Sequence, residues 1–194
     1  MRYGAPIALL DMDGTVADYD VAMNAALDAM RGPGEEGLVW ETLRNEPWVE
    51  ARRDAVARRP GFWRELPERW RGMVVYNMLL ELDFEVHVVS KGPSTKSQAW
   101  AEKLDWCREH LPNAKVTITE SKTGVYGRCL VDDWIPYVEP WLEKRPRGLV
   151  IMPSHSWNEG YAHPRVVHDT DLVRVYEALR EARNRKDGDP LCLP

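Results

Sequence analysis

Asp11 and Asp13 stand two residues apart at the end of a short apolar run, Ile7-Ala8-Leu9-Leu10, and Gly14-Thr15 follow them. Other apolar runs end on residues of related chemistry. Glu85-Val86-His87-Val88-Val89 leads into Ser90-Lys91-Gly92. Lys115-Val116-Thr117-Ile118-Thr119 leads through Glu120 into Ser121-Lys122-Thr123-Gly124, and Cys129-Leu130-Val131 leads into Asp132-Asp133. In open α/β sheets ligands bind outside the carboxyl ends of the strands, so these ends form one site: four carboxylates, a hydroxyl and a cation or two. Like charges at such a site disfavour one another's ionisation. A hard divalent cation resolves the conflict, and Mg²⁺ takes oxygen ligands from one or two carboxylates together with substrate oxygens. A lysine and a hydroxyl nearby can hold a phosphate dianion. That combination describes phosphoryl transfer, in which catalysis is mostly positioning and charge neutralisation.

The elements that must position these residues follow from periodicity. Each run, with Leu149-Val150-Ile151-Met152 as the fifth, is short and rich in Val, Ile or Leu, as buried parallel strands are. Helical patterns separate them: one starting at Pro67 and closing on Met78, Leu79 and Leu82, one over Ser94 to His110, and one over Asp169 to Arg185. Trp134 to Lys144 is ambiguous because Pro136 and Pro140 interrupt it. Alternation of this kind implies an α/β doubly wound sheet. The stretch from about Val16 to Gly72 is too long for a single crossover. It reads as helical pieces, Val21 to Met30 and Pro47 to Arg58, around the loop Gly32-Pro33-Gly34-Glu35-Glu36-Gly37, and it holds four of the nine tryptophans. We read it as a small helical cap, 16–72, inserted into a core of 1–15 and 73–194.

Composition sets the outer limits. A chain of 194 residues with 44% apolar and 29% charged residues is an ordinary globular protein, not a collagen-like, coiled-coil or disordered one. The formal charge of −5 argues against a broad basic surface for duplex nucleic acid or an anionic membrane. Cys107, Cys129 and Cys192 are odd in number and form no C-x-x-C pair, so neither a disulfide framework nor a zinc site is suggested, and a reducing cytoplasm fits. No apolar run reaches membrane-spanning length and no signal peptide is evident.

Asp11-Met12-Asp13-Gly14-Thr15, Ser90, Lys122 and Asp132-Asp133 resemble, in order and on the expected strand ends, the four motifs of the haloacid dehalogenase (HAD) phosphatase superfamily. The resemblance covers about residues 7–152. It implies a HAD-like Rossmannoid fold with strand order 3-2-1-4-5 and Mg²⁺ as cofactor. Within the superfamily the chain looks most like the 5′(3′)-deoxyribonucleotidases. The features are Ala17-Asp18 after the first motif, Gly61-Phe62-Trp63 with Glu65-Leu66, Ser121-Lys122-Thr123, and His155-Ser156-Trp157. Family members commonly have Val-Leu where this chain has Thr15-Val16, and Thr-Ser-Pro where it has Ser90-Lys91-Gly92.

By resemblance, Asp11 is the nucleophile that forms an aspartyl-phosphate. Asp13 is the acid to the leaving oxygen and then the base for water. Lys122 neutralises charge between phosphate and Asp11. Asp11, the Asp13 carbonyl and Asp133 hold Mg²⁺ with Asp132 behind them, the order within the Asp132-Asp133 pair being open. Ser90 and Lys91 bind phosphate, and Phe62 and Trp63 pack against a base. The function so read is a Mg²⁺-dependent phosphomonoesterase for (deoxy)nucleoside monophosphates, monomeric or homodimeric. A phosphatase for another small phosphate, such as a sugar phosphate, and a non-catalytic HAD-fold binding protein are the alternatives. Each assignment has a structural rival: a strand-end Asp-Gly turn for Asp11 and Asp13, a solvated loop lysine for Lys122, a helix start for Lys91, core packing for Phe62 and Trp63, and internal ion pairs for Arg52, Arg53, Arg58 and Arg59. His155, His163 and His168 read as structural or solvated.

Overall fold

A computed structural model of the chain describes residues 4–37, 39, 43, 45–93, 96–186, 188–191 and 193. Ser94, expected to open a helix, and Cys192 lie outside the described residues. The strands are β1 (Ile7–Leu10), β2 (Glu85–Lys91), β3 (Lys115–Thr119), β4 (Cys129–Val131), β5 (Leu149–Met152) and β6 (Val166–His168). They form one parallel sheet in the order β3-β2-β1-β4-β5-β6. The expected order 3-2-1-4-5 is present, extended by β6, which is too short for periodicity alone to separate from a loop. β5 is buried throughout, whereas no residue of β3 is fully buried. β3 is the sheet edge, so the expectation of a buried strand fails there, and exposed Lys115 blunts the open edge.

Six α-helices are found among the described residues: α1 (Tyr19–Asp28), α2 (Pro47–Ala57), α3 (Trp70–Glu81), α4 (Ser97–His110), α5 (Ile135–Lys144) and α6 (Leu172–Asn184). Alternation along the strands separates two apolar layers. Ala8, Leu10, Val86, Val88 and Val131 face α3, α4 and α6, while Leu9, Leu130, Val150 and Met152 face Val138, Trp141 and Leu142 of α5. α5 forms despite its prolines. Pro136 occupies the first turn, where its missing N–H has no intrahelical partner anyway, and burial of three side chains outweighs the bond that Pro140 forgoes. The helix expected from Pro67 starts at Trp70 and runs through position 72. Among the described residues no helix is long and apolar enough to cross a membrane.

Helices α1 and α2 share a small apolar cluster of their own, Met23, Leu27, Val49 and Val56. The two connections joining this part of the chain to the sheet pair with each other. The Asp18 N–H donates to the Pro67 carbonyl and the Arg69 N–H to the Val16 carbonyl, each at 2.7 Å.

Candidate active site

The loop after β1 is wound tightly around one carbonyl. The N–H groups of Thr15, Val16 and Ala17 all donate to Met12 O, at 3.2, 3.0 and 2.9 Å, and Gly14 has φ +74°. Only glycine adopts that backbone conformation readily. A side chain there would also meet Asp133, whose Oδ2 lies 3.1 Å from where a Cβ would stand. Gly72 of α3 lets the helix approach the same loop, because a Cβ at 72 would fall 1.8 Å from Thr15 O. The loop is thus held from both sides, which fixes the direction of Asp11 and Asp13.

Asp11, Asp132 and Asp133 are buried, with one oxygen from each lying within 4.8 Å of the others. Lys122, itself buried, sits between two of them: Nζ is 2.6 Å from Asp11 Oδ1 and 3.0 Å from Asp132 Oδ2. Burial opposes the Lys122 charge, but Asp11 and Asp132 outweigh it and hold the ammonium above the ordinary lysine range. Burial likewise lifts Asp132 to about 6, with Lys122 opposing, and lifts Asp133 well above the usual carboxylate range, with Asp132 and Asp11 adding to the rise.

The two adjacent carboxylates are not equivalent. Asp132 is fully engaged, because its other oxygen accepts from the Trp134 N–H at 2.9 Å. Among the described residues the side chain of Asp133 meets only neutral donors, Thr15 Oγ1 at 3.3 Å and Trp157 Nε1 at 3.1 Å. Neutral donors leave its negative charge uncompensated, and a cation would supply what is missing. Oxygen donors of this kind suit a hard divalent ion.

Asp13 is only partly buried. Its Oδ2 accepts from Lys103 Nζ, and its Oδ1 is buried without a hydrogen-bond partner. Burial raises its pKa, Lys103 pulls against that rise and Asp11 reinforces it, leaving the carboxyl above its ordinary value. Lys103 is fully buried on α4. It also donates to the Lys91 carbonyl at 2.8 Å and to Ser90 Oγ at 3.2 Å, and it lies 4.5 Å from the Trp63 ring centroid.

These groups form the floor of a 570 Å³ cavity. Tyr19, Trp63, Trp134 and Tyr137 supply aromatic walls, and Arg53, Lys91 and Lys96 supply positive charge. A second cavity shares Asp13, Tyr19, Arg53, Asp133 and Trp134 with the first and reaches Trp157. Trp63 stacks on Tyr19, centroids 5.5 Å apart, and Phe62 meets both rings edge-on.

The structure brings Asp11, Asp13, Lys91, Lys122, Asp133 and Trp63 to the cavity and places Asp132 directly behind it. Ser90 is fully buried against Lys103 and does not line the cavity, and Phe62 stands behind Trp63. Lys103 and Arg53 escape sequence reasoning as site residues, and Trp157 enters it only through the resemblance carried by His155-Ser156-Trp157. Lys103 counts as one more position of a helical pattern. Trp157 is separated from Asp133 by a helix, a strand and a turn. Arg53 sits in a charged helix whose ion pairs with Glu50 and Asp54 do form, at 3.6 and 3.2 Å, yet it also faces the cavity. His155 is structural. Burial holds its pKa down, so the neutral ring donates from Nε2 to the Gly14 carbonyl, 2.6 Å away, and stacks on Trp157.

A parallel sheet with paired carboxylates after β1 and β4 and a lysine between them is the architecture of a HAD-like hydrolase. Solved structures agree on the fold. A "putative HAD-hydrolase" from Bacillus subtilis, bound to magnesium, superposes with a TM-score of 0.60 at 13% identity, over 91% of this chain and 99% of that one. A haloacid dehalogenase-like family hydrolase from Xanthomonas campestris gives 0.53 at 14% identity, over 93% and 96%. No family model matches the chain. Among curated proteins, a "Putative 5'(3')-deoxyribonucleotidase" from Bordetella pertussis is 30% identical over 139 residues, spanning 66% of this chain and 73% of that protein. A protein of the same name from Bordetella bronchiseptica is 29% identical over the same length. The chain shares the fold of these HAD-like hydrolases and belongs to the family of the Bordetella proteins.

Proposed function

We propose that the chain is a Mg²⁺-dependent phosphomonoesterase that hydrolyses (deoxy)nucleoside monophosphates, with residues 16–72 serving as a cap over the site. The observation that carries this reading is the floor of the cavity. There Asp11 lies beside Lys122 while Asp13, two residues on, turns a carboxyl of raised pKa toward the same space. In this reading the Asp11 carboxylate attacks phosphorus and the phosphorus–oxygen ester bond breaks. Asp13 delivers its proton to the departing ester oxygen. Asp13, now ionised, takes a proton from water as that water attacks the aspartyl-phosphate, which releases phosphate and restores Asp11. Lys122 and Lys103 keep positive charge beside Asp11 and Asp13 throughout. Asp11, Asp133 and the Asp13 carbonyl are the residues that would hold Mg²⁺, which when bound neutralises charge between carboxylate and phosphate. Lys91 is placed to meet the phosphate, and Ser90 contributes through Lys103.

The aromatic walls favour a nucleoside over a sugar alone, because Tyr19, Trp63, Trp134 and Tyr137 line the cavity with ring surface against which a base can pack. The test is phosphate release from a panel of deoxynucleoside, ribonucleoside and sugar phosphates, with Mg²⁺ and with EDTA, for the wild type and for Asp11→Asn. Mg²⁺-dependent release that favours deoxynucleotides and vanishes in Asp11→Asn is expected. Release from sugar phosphates alone would replace the nucleotidase with another phosphatase, and full activity in Asp11→Asn would sink the nucleophile.

A further inference from the structure

The opposite end of the sheet carries a cleft of the opposite charge. Gly127 and Arg128 lead into β4 and Gly148 leads into β5, so this cleft lies at the amino ends of these two strands, opposite the end at which β4 runs into Asp132 and Asp133. It measures 320 Å³, and six of its ten described lining residues are cationic (Arg128, Lys144, Arg145, Arg147, Arg185 and Lys186), while none of the described ones is acidic. In a chain with five more acidic than basic residues, such a concentration is a local feature. An adjoining cleft shares Arg128, Arg185, Lys186 and Tyr126 and adds Arg183.

The positive charge is only partly compensated. Among the described residues, Lys144, Arg145, Arg147, Arg185 and Lys186 make no ion pair. Arg145 donates instead to the Val125 carbonyl at 2.8 Å and Arg185 to the Arg147 carbonyl at 2.6 Å. Carbonyl oxygens satisfy the N–H groups but do not neutralise the charge. The crowding is felt at Arg185, which burial and then Arg128 and Arg147 push below its ordinary pKa, against Glu181. At the rim, the Tyr126 ring is 64% exposed and the Arg145 guanidinium lies 6.0 Å from its centroid.

We propose that this cleft binds an oligophosphate chain, that of a nucleoside di- or triphosphate or of an inorganic polyphosphate. The cleft is lined by five cations without an ion pair among the described residues, more than one phosphate group needs. Guanidinium forks match phosphate oxygens, and the exposed ring gives a base a surface to stack on. The cleft lies away from the carboxylates, so its occupancy does not depend on the reaction proposed above.

Calorimetric titration with ATP and with inorganic tripolyphosphate tests this, on the full chain carrying Asp11→Asn, in EDTA and at physiological salt. Arg147 and Lys186 are exposed, and among the described residues no side-chain hydrogen bond ties either to the backbone, so the pair Arg147→Ser and Lys186→Ser removes charge and leaves the packing alone. The expected result is binding that this double variant weakens by about tenfold or more, with an unchanged melting temperature. A further loss for ATP but not for tripolyphosphate in Tyr126→Ser identifies the nucleotide as the source. Equal affinities that ignore Tyr126→Ser identify the inorganic chain. Binding that is unaltered in the double variant, or no binding of either probe at millimolar concentration, overturns the proposal.

Discussion

Lys103 Nζ bonds to Asp13 Oδ2, and the same ammonium reaches Ser90 Oγ and the Lys91 carbonyl. One buried cation on α4 therefore ties the loop after β1 to the end of β2. It also opposes the burial that raises the Asp13 pKa. Removing it lets that pKa climb further and frees the carboxyl to turn. Lys103→Met is expected to lower kcat by about 10²-fold, within the usual range of a positioned acid–base group. The limb of the kcat/KM profile governed by Asp13 should move to higher pH, because the carboxyl then keeps its proton longer. Lys103→Arg, which retains the charge, should recover part of both effects. An unshifted profile in Lys103→Met would remove Lys103 from this role.

Trp157 acts on the other carboxylate. Its indole N–H donates to Asp133 Oδ2 and orients a group that meets no cationic side chain among the described residues. Partners of metal-ligating groups typically contribute about 10–100-fold in metal affinity. Trp157→Phe keeps the ring that stacks on His155 and loses the donor. A Mg²⁺ titration should show about tenfold weaker activation, with kcat at saturating Mg²⁺ nearly unchanged. Protection of the fold against heat by Mg²⁺ should weaken in parallel, which separates a metal effect from a catalytic one.

The sheet was legible in the sequence because parallel strands leave short runs rich in Val, Ile or Leu, and five of the six do so here, the edge strand β3 by alternation rather than by full burial. The site was legible wherever its residues sit at the ends of those runs: Asp11, Asp13, Lys122, Asp132 and Asp133. Lys103 was not, because it occupies an interior helix position. Nothing in the periodicity of Ser97–His110 distinguishes a buried lysine reaching the sheet from a solvated one. Ser90 was placed at the right strand end, but the direction of its hydroxyl depends on that same lysine. β6 and the contact between Trp157 and Asp133 depend on how the chain returns after β5, and the spacing of apolar residues does not encode that path.

The buried carboxylates of the proposed metal site predict a dependence of stability on pH. Asp133 and Asp132 have raised pKa values in the folded protein, so the fold binds their protons more tightly than the unfolded chain does. Their contribution is fully present below the ordinary carboxylate range and is lost as pH rises, for Asp132 through about 6. Metal-free wild type should therefore lose melting temperature between pH 4 and 7 relative to Asp133→Asn, and Mg²⁺ should restore it at pH 7 in the wild type only. A difference of 1–2 kcal/mol corresponds to about 2–8 °C for a chain of this size. Parallel curves for the two proteins, with and without Mg²⁺, would contradict the assignment of Asp133 as a ligand.

Gly72 gives the last test, of the packing that aims Asp11, the proposed nucleophile. A Cβ at this position would stand 1.8 Å from Thr15 O and 2.7 Å from Thr15 C, both backbone atoms of the loop after β1. The conflict cannot be relieved by turning a side chain, so either α3 or the loop must move. Overpacking of this kind costs about 1–3 kcal/mol. Gly72→Ala should thus lower the melting temperature by about 2–12 °C. If the loop is what moves, Asp11 and Asp13 shift with it and kcat falls, while KM changes little because the aromatic wall around Trp63 is anchored elsewhere, through Ala57 and Glu102. A variant with wild-type stability and kcat would show that the approach of α3 to the loop has no part in holding the site.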